Sequence, residues 1–187
     1  NALMAAYYSQ RASAGLIITE ATGISREGLG WLNAPGLWNQ DQVKGWRQVT
    51  KSVHDHGGRI VAQLWHMGRL VHSAVSGMDP VSSSATIAPD YAHTYEGKKP
   101  YLEARAATDD DIRRIVADYA KAARNAIDAE FDGVQIHGAN GYLVDQFLRD
   151  GANFRTDDYG GEIDNRLRFM TEVLEAVGAE IGMGRVG

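Results

Sequence analysis

The stretch that decides the fold is "DGVQIHGANGYLVDQFL", residues 132–148, in which a short apolar run stops at polar residues and a helical segment follows. The run "DGVQI" is typical of a strand that is buried on both faces. Two earlier runs, "GLIITEA" (15–21) and "RIVAQLW" (59–65), have the same apolar character. Strand, loop and helix repeated three times predict an α/β fold with a parallel sheet covered by helices.

Helix signals separate these strands. Asn39 and Thr108 are good N-cap residues, and each precedes apolar residues at helical spacing. Another amphipathic helix is predicted for residues 165–182. An open doubly wound sheet and a closed barrel use the same βα unit, so the pattern alone does not distinguish them. A closed eight-stranded barrel needs roughly 250 residues, and the pattern shows three strands and the start of a fourth, so on that interpretation the chain supplies about half of one.

Composition narrows the classes of function. The 187 residues, 44% of them hydrophobic, predict one domain. A net charge of −5 with dispersed Lys and Arg argues against a nucleic-acid partner, and no apolar run approaches membrane-spanning length. The absence of cysteine rules out disulfides, thiolate metal sites and a cysteine nucleophile, and favours the cytoplasm. The chain begins within a helix and stops as a strand begins, so we expect it to be truncated at both ends.

Residues 66–107 form a long region rich in Ser, Pro and Gly. Loops of this length inside a compact domain are usually lids or binding segments. We therefore expect this region to be a loop near a site.

The strand end "QLWHMGR" carries a candidate ligand-binding amide. The period of two along a strand places Gln63 and Trp65 on one side and Leu64 and His66 on the other. If Leu64 packs toward the helices, Gln63 and Trp65 face a barrel interior, where an amide can both donate and accept. The alternative is a strand-end amide satisfied by neighbouring backbone groups.

Three polar residues follow the third strand. His137 and Asn140 can aim two donors at one oxygen, which would polarise a carbonyl or nitro group. Tyr142 carries a hydroxyl that keeps its proton at neutral pH and can donate it. The alternative makes His137 a helix-capping residue, Asn140 part of a turn with Gly141, and Tyr142 a core aromatic. A metal site is disfavoured, because His with Asn is a weak ligand set.

The segment "GMGRVG" (182–187) matches the dinucleotide-binding pattern G-x-G-x-x-G. That pattern binds a pyrophosphate only where it follows a strand and opens a helix. Here it follows a predicted helix, so we interpret it as a helix stop that leads into a strand.

Four stretches now indicate a family: "YYSQRASAGLIITEATGIS", "VAQLWHMGR", "IHGANGYLVDQFL" and "NFRTDDYGGEIDNRLRF". With these in order along the chain, the sequence resembles the Old Yellow Enzyme family of FMN-dependent NAD(P)H oxidoreductases. The resemblance implies an eight-stranded (β/α)8 TIM barrel. Residues 1–187 would be the N-terminal part of one FMN-binding domain, from the first helix through roughly strands 2–4 to the threshold of strand 5.

The resemblance also implies roles for individual residues. Ala21 would approach the flavin, and Gln63 would hydrogen-bond its pyrimidine edge. His137 and Asn140 would hold the substrate oxygen, and Tyr142 would be the proton donor.

Two tryptophans would complete the site by resemblance. Trp65 and Trp31 would line the substrate pocket, although some family members have Tyr in place of Trp31. The segment "RTDDYGG" would shape a loop and its packing. The partners implied are FMN, NAD(P)H and a small-molecule substrate, with no metal within this stretch, and the oligomeric state stays open.

The implied reaction is the reduction of an electron-poor alkene in two half-reactions at one site. NAD(P)H reduces FMN, and the alkene then takes a hydride from the flavin and a proton from Tyr142. Three alternatives remain open. One is a dienoyl-thioester reductase with an iron–sulfur cluster elsewhere in the protein; another is a non-flavin barrel enzyme using His137 as acid or base. The third is a flavin-binding protein without turnover.

Overall fold

The computed structural model describes residues 1–187. Its helices are α1 (Ala2–Ser9), α2 (Gln40–Asp55), α3 (Ser73–Ser76), α4 (Asp109–Asp128), α5 (Leu143–Leu148) and α6 (Ile163–Ile181). Its strands are β1 (Ile17–Gly23), β2 (Ile60–Trp65), β3 (Val81–Ser82), β4 (Thr86–Ile87), β5 (Tyr91–Thr94), β6 (Gly97–Pro100), β7 (Glu103–Ala106) and β8 (Gly133–Ile136). None of the helices has the length and apolar character needed to cross a membrane.

The central sheet has the order β1, β2, β8, and both pairs are parallel, as the sequence predicts. Its register places Ala21 beside Gln63, and Gln63 beside Gln135. These three side chains therefore form one row across the sheet. Val186 makes a parallel bridge with Val134, so the last residues lie along the edge of β8 opposite β2.

The two faces of this sheet differ in burial. Ile17, Ile60, Leu64 and Val134 are buried in a core of 30 residues that also contains side chains from the larger helices. On the other face most side chains, Gln63 and Gln135 among them, are only partly buried, and Ile18 is exposed. A doubly wound sheet carries helices on both faces, whereas a barrel carries them outside only. The burial pattern therefore favours a sector of a barrel, and the helix-free face corresponds to the barrel interior.

The helices begin where the sequence predicts. Asn39 and Thr108 cap α2 and α4, and each accepts a hydrogen bond from the third backbone N–H of its helix. Helix α6 begins two residues earlier than predicted, at Ile163, and ends at Ile181. Gly182 (φ +84°) follows it, then a 3₁₀ turn at Met183–Arg185, and then the bridging Val186. The interpretation of "GMGRVG" as a helix stop is confirmed, and the segment ends in a single parallel bridge.

The expectation of a loop over residues 66–107 is wrong in part. The region contains a small sheet in the order β3, β7, β4 and an antiparallel hairpin of β5 and β6. These strands are only two to four residues long, too short for an alternating pattern to be read from the sequence. Ladder hydrogen bonds nevertheless give the region a defined backbone beside the carboxyl ends of β1 and β2.

Candidate active site

A cavity of about 390 Å³ lies at the carboxyl ends of β1, β2 and β8. It is lined by ten residues, among them six of the seven predicted site residues: Ala21, Trp31, Trp65, His137, Asn140 and Tyr142. Gln63 is the exception and lies further down the sheet. A larger cavity of about 500 Å³ lies between α1 and β1, but it contains none of the predicted residues and its lining is mainly hydrophobic. The residues that line the cavity, rather than its volume, therefore identify the site.

The loop between β8 and α5 is anchored at one end to strand β2 and at the other to the residue that follows β2. The backbone N–H of His137 donates to the carbonyl of Leu64 at 3.0 Å. The N–H of Leu143 donates to the carbonyl of His66 at 3.0 Å. The segment that carries the candidate polar residues is therefore fixed against the strand that carries Trp65.

Three aromatic rings of the site pack against one another. The ring of Tyr142 meets Trp65 edge-on at 5.0 Å between centroids and meets His137 edge-on at 4.9 Å. The rings of Trp65 and His137 are nearly parallel at 6.5 Å. Edge-to-face contacts of this kind are favourable for aromatic pairs. The ring of Tyr142 is thereby oriented, while its hydroxyl makes no hydrogen bond within the chain.

His137 is half-buried, and burial lowers the pKa of its imidazole below the usual value. The ring is therefore neutral at pH 7, with one N–H donor and one acceptor. The N–H of Ala139 points at Nδ1 over 3.4 Å, so in the tautomer that accepts this bond Nε2 carries the proton. A neutral donor at this position can polarise a ligand oxygen. The nitrogen is also not lost to helix capping, because the N-cap of α5 is Tyr142.

Asn140 and Gly141 both have positive φ angles, +60° and +77°. Asn tolerates this left-handed region better than most residues, and Gly occupies it freely. The turn that the alternative interpretation proposed is therefore present. It also exposes the Asn140 side chain on the wall of the cavity, so the turn and the ligand-binding role are compatible.

Gln63 pairs with a glutamine that the sequence analysis did not select. Its Nε2 donates to Oε1 of Gln135 at 2.6 Å, across the open face of the sheet. The remaining amide groups, Oε1 of Gln63 and Nε2 of Gln135, make no hydrogen bond within the chain. Swapping oxygen and nitrogen in both amides gives the same result, so the pair always offers one free acceptor and one free donor. Gln135 lies in the strand "DGVQI", where a polar residue at an interior-facing position was the available signal.

This donor set fits a flavin. The pyrimidine edge of FMN has both N–H and carbonyl groups, which match one free acceptor and one free donor. Ala21, beside Gln63 in the same row, has a small side chain that leaves room for a flat ring system. Nε1 of Trp65 is a further unused donor, since it is buried and has no hydrogen-bond partner.

Trp31 lies on the cavity wall across from these groups and stacks on His93 of strand β5, with ring centroids 5.6 Å apart and planes 16° apart. The hairpin of β5 and β6 therefore contacts the site through this pair. Sequence reasoning gave no signal for His93, because the contact depends on how residues 66–107 fold.

The segment "RTDDYGG" shapes a loop, as predicted. The guanidinium of Arg155 donates to the carbonyls of Ser83 and Ala107 and to the carboxylate of Asp157. Ser83 and Ala107 directly follow β3 and β7, so these bonds attach the segment to the small sheet, and none of these residues lines the cavity. No group of three or more His, Asp or Glu side chains is arranged to hold a metal ion.

Comparison with known proteins agrees with this geometry. The NADH:flavin oxidoreductase / NADH oxidase family matches residues 1–187. A curated relative, 12-oxophytodienoate reductase 1 of Oryza sativa subsp. japonica, is 46% identical over 98% of this chain and 48% of its own length.

Solved structures agree as well. An Old Yellow Enzyme homologue from Zymomonas mobilis is 60% identical with a TM-score of 0.98, covering 100% of this chain and 52% of its own. Morphinone reductase in complex with tetrahydroNAD is 47% identical with a TM-score of 0.94, covering 99% and 53%. The chain thus spans about half the length of the proteins it matches. It belongs to the NADH:flavin oxidoreductase / NADH oxidase family and has the fold of the corresponding part of an Old Yellow Enzyme barrel.

Proposed function

We propose that the complete protein is an ene-reductase that uses NAD(P)H to reduce α,β-unsaturated carbonyl or nitro compounds. The observation that carries this proposal is that His137, Asn140 and Tyr142 line one cavity above the row of Ala21 and Gln63. Two relatives support it: the rice protein is named for a substrate with an oxo group and a diene, and morphinone reductase binds a nicotinamide analogue.

Gln63 and Gln135 would hold the pyrimidine edge of FMN, and Ala21 would leave space for its ring. FMN held there would supply the chemistry of hydride transfer between NAD(P)H and the β carbon of the alkene. The protein would contribute binding, orientation and polarisation.

His137 and Asn140 would bind the substrate oxygen. With its proton on Nε2, His137 would be one donor and the side-chain amide of Asn140 the other, and both residues line the same cavity on a loop held at each end. Negative charge grows on the oxygen as the β carbon gains a hydride, so fixed donors stabilise the transition state more than the ground state. A neutral imidazole performs this role without giving up its own proton.

Tyr142 would deliver the proton to the α carbon. Its ring is oriented by Trp65 and His137, and its hydroxyl is not engaged with any other group of the chain. A free hydroxyl at a fixed position is what a general acid needs. Trp65 and Trp31 would bound the space for the substrate.

The test compares Asn140→Ala with Glu130→Ala in the complete, FMN-loaded protein. Both residues have positive φ, +60° and +66°, so both substitutions introduce similar backbone strain, but Glu130 precedes β8 at the opposite end of the strand. With 2-cyclohexenone and NADH or NADPH, Asn140→Ala should lower kcat by about 10²-fold, the usual size for loss of one such donor. Glu130→Ala should retain the wild-type kcat.

Other outcomes would refute the proposal. A wild-type protein that holds FMN but reduces no unsaturated ketone or nitroalkene would be a flavin-binding protein without turnover. Iron and sulfide in the purified protein, with a preference for dienoyl thioesters, would place it in the iron–sulfur branch.

A further inference from the structure

Two buried side chains of helix α5 hold the backbone of the turn that carries Asn140. Oδ2 of Asp145 accepts a hydrogen bond from the N–H of Gly141 at 2.7 Å. Nε2 of Gln146 donates to the carbonyl of Gly141, also at 2.7 Å. Both polar groups of the Gly141 backbone are therefore bound by side chains, and the turn lies directly between Asn140 and Tyr142.

Gln146 uses its whole hydrogen-bonding capacity. Its Nε2 also donates to the carbonyl of Met67 at 3.2 Å. Its Oε1 accepts from the N–H of Arg69 at 3.1 Å and from the hydroxyl of Ser82 at 2.9 Å. One amide, only 1% exposed, thus joins the segment after Trp65 to the Gly141 turn.

Gly68 gives independent evidence that this arrangement is tightly packed. A Cβ atom at residue 68 would lie 2.1 Å from Oε1 of Gln146, and Gly68 has a φ of +61°. Any other residue would strain the backbone and push the Gln146 amide aside. The segment after β2 is therefore shaped to receive this amide.

We infer that Asp145 and Gln146 are positioning residues that set where the Asn140 amide and the Tyr142 hydroxyl stand relative to Trp65. Neither side chain lines the cavity, so both act through the backbone of Gly141. The turn has two consecutive residues with positive φ and only short connections to β8 and α5. Without partners for both groups of Gly141, this turn would lose the bonds that select its conformation. The consequence for catalysis rests on the proposed function, whereas the effect on the turn does not.

Asp145 offers a clean separation of hydrogen bonding from charge. Its carboxylate also pairs with Nε of Arg149 at 2.9 Å, and the Arg149 side chain is 68% exposed. Asp145→Asn keeps an oxygen that can accept from Gly141 but removes the charge. Asp145→Leu removes both, and Arg149→Gln removes the ion pair while leaving the contact with Gly141 in place.

The experiment uses the complete FMN-loaded protein and two readouts. The first is the Kd of 4-chlorophenol, measured from the change in flavin absorbance. The oxygen of this ligand tests the donor pair of His137 and Asn140. The second is hydrogen exchange of the Gly141 amide, which needs no flavin chemistry. Asp145→Leu should weaken 4-chlorophenol binding by about 5- to 30-fold and speed the exchange at Gly141, because one buried donor loses its acceptor. Asp145→Asn should rescue both readouts, and Arg149→Gln should match the wild type.

Gln146→Glu is the second variant, and it decides the matter if Asp145→Leu does not fold. An ionised carboxylate of the same shape still accepts from Arg69 and Ser82 but cannot donate to Gly141 or Met67, and a protonated carboxyl can donate to only one of them. It should weaken 4-chlorophenol binding while FMN content stays that of the wild type. The inference would be overturned if Gln146→Glu and Asp145→Leu both kept the wild-type Kd and exchange rate. It would also be overturned if Asp145→Asn and Arg149→Gln weakened 4-chlorophenol binding as much as Asp145→Leu does. A third outcome is that the wild type binds no 4-chlorophenol while the variants still exchange the Gly141 amide faster. That outcome would refute the proposed function but not the positioning role.

Discussion

Removing the Tyr142 hydroxyl should separate the two half-reactions of the complete enzyme. Tyr142→Phe keeps the ring, and with it the edge-on contacts to Trp65 and His137 at 5.0 and 4.9 Å. The hydroxyl makes no hydrogen bond within the chain, so its loss leaves no buried group without a partner and should change stability by less than about 0.5 kcal/mol. Any large effect on rate must then come from the proton that the hydroxyl delivers.

The size of that effect follows from general-acid catalysis. A positioned acid contributes about 10²- to 10⁴-fold, equivalent to about 3–5 kcal/mol of barrier. The reoxidation of reduced enzyme by 2-cyclohexenone should slow by this factor. Flavin reduction by NAD(P)H, which takes no proton from Tyr142, should proceed at nearly the wild-type rate.

Stopped-flow measurement of both half-reactions, with wild-type protein and Tyr142→Phe at equal FMN content, provides the test. If both rates fall together, Tyr142 supports the architecture of the site and is not the proton donor. If neither falls, the proton comes from another source, such as water, and the assignment is wrong.

Three further predictions concern the surroundings of the site. Gln63→Leu leaves Gln135 without its donor and removes one polar contact to FMN. The Kd for FMN should therefore rise about 5- to 100-fold in a fluorescence titration. An unchanged Kd would show that Gln63 is only a strand-end amide. His93→Ala removes the ring that stacks on Trp31, so the ratio of kcat/KM for bulkier alkenes to kcat/KM for smaller ones should rise by a few-fold. An unchanged ratio would show that the stack does not shape the pocket. Glu27 is buried and pairs with Arg105 at 3.2 Å and Arg114 at 2.8 Å. Burial opposes its ionisation, but His66 and Arg114 outweigh burial and lower the pKa of the carboxyl from 4.5 to about 2. The stabilising contribution of Glu27 is therefore complete above pH 4.5 and is lost as pH falls toward 2, so Glu27→Gln should flatten the acid side of a plot of unfolding free energy against pH.

Much of the fold could be predicted because its signals are local. Apolar runs marked three parallel strands, whose observed bounds differ from the predicted ones by up to two residues, and Asn39 and Thr108 marked two helix starts. The choice between barrel and doubly wound sheet required the structure, because only the burial of side chains distinguishes a sheet covered on one face from one covered on both.

The residues of the site also divide into those that local sequence predicts and those that only the folded structure brings together. His137, Asn140 and Tyr142 stand together in sequence, so their proximity could be predicted from one strand end. His93 could not be found, because its stack on Trp31 joins residues separated by some sixty positions through short strands with no readable period. The contact between Gln135 and Gln63 follows from the register of two paired parallel strands. It could therefore be predicted only once the pairing of these strands was known.

Directional polar contacts, rather than apolar packing, fix the geometry of this site. The main core has 30 buried residues, whereas the apolar cluster next to the cavity has only three, Trp65, Met67 and Val71. Apolar burial is proportional to area and has little directional preference, so a cluster this small cannot define the orientation of an amide or a hydroxyl. A hydrogen bond loses most of its strength when it is misaligned, and Asp145 and Gln146 make such bonds to the Gly141 turn. Substitutions in the part of the main core away from α5 should therefore lower stability with little change in the site, whereas loss of these bonds should alter the site and cost about 1–3 kcal/mol of stability for the buried group left without a partner.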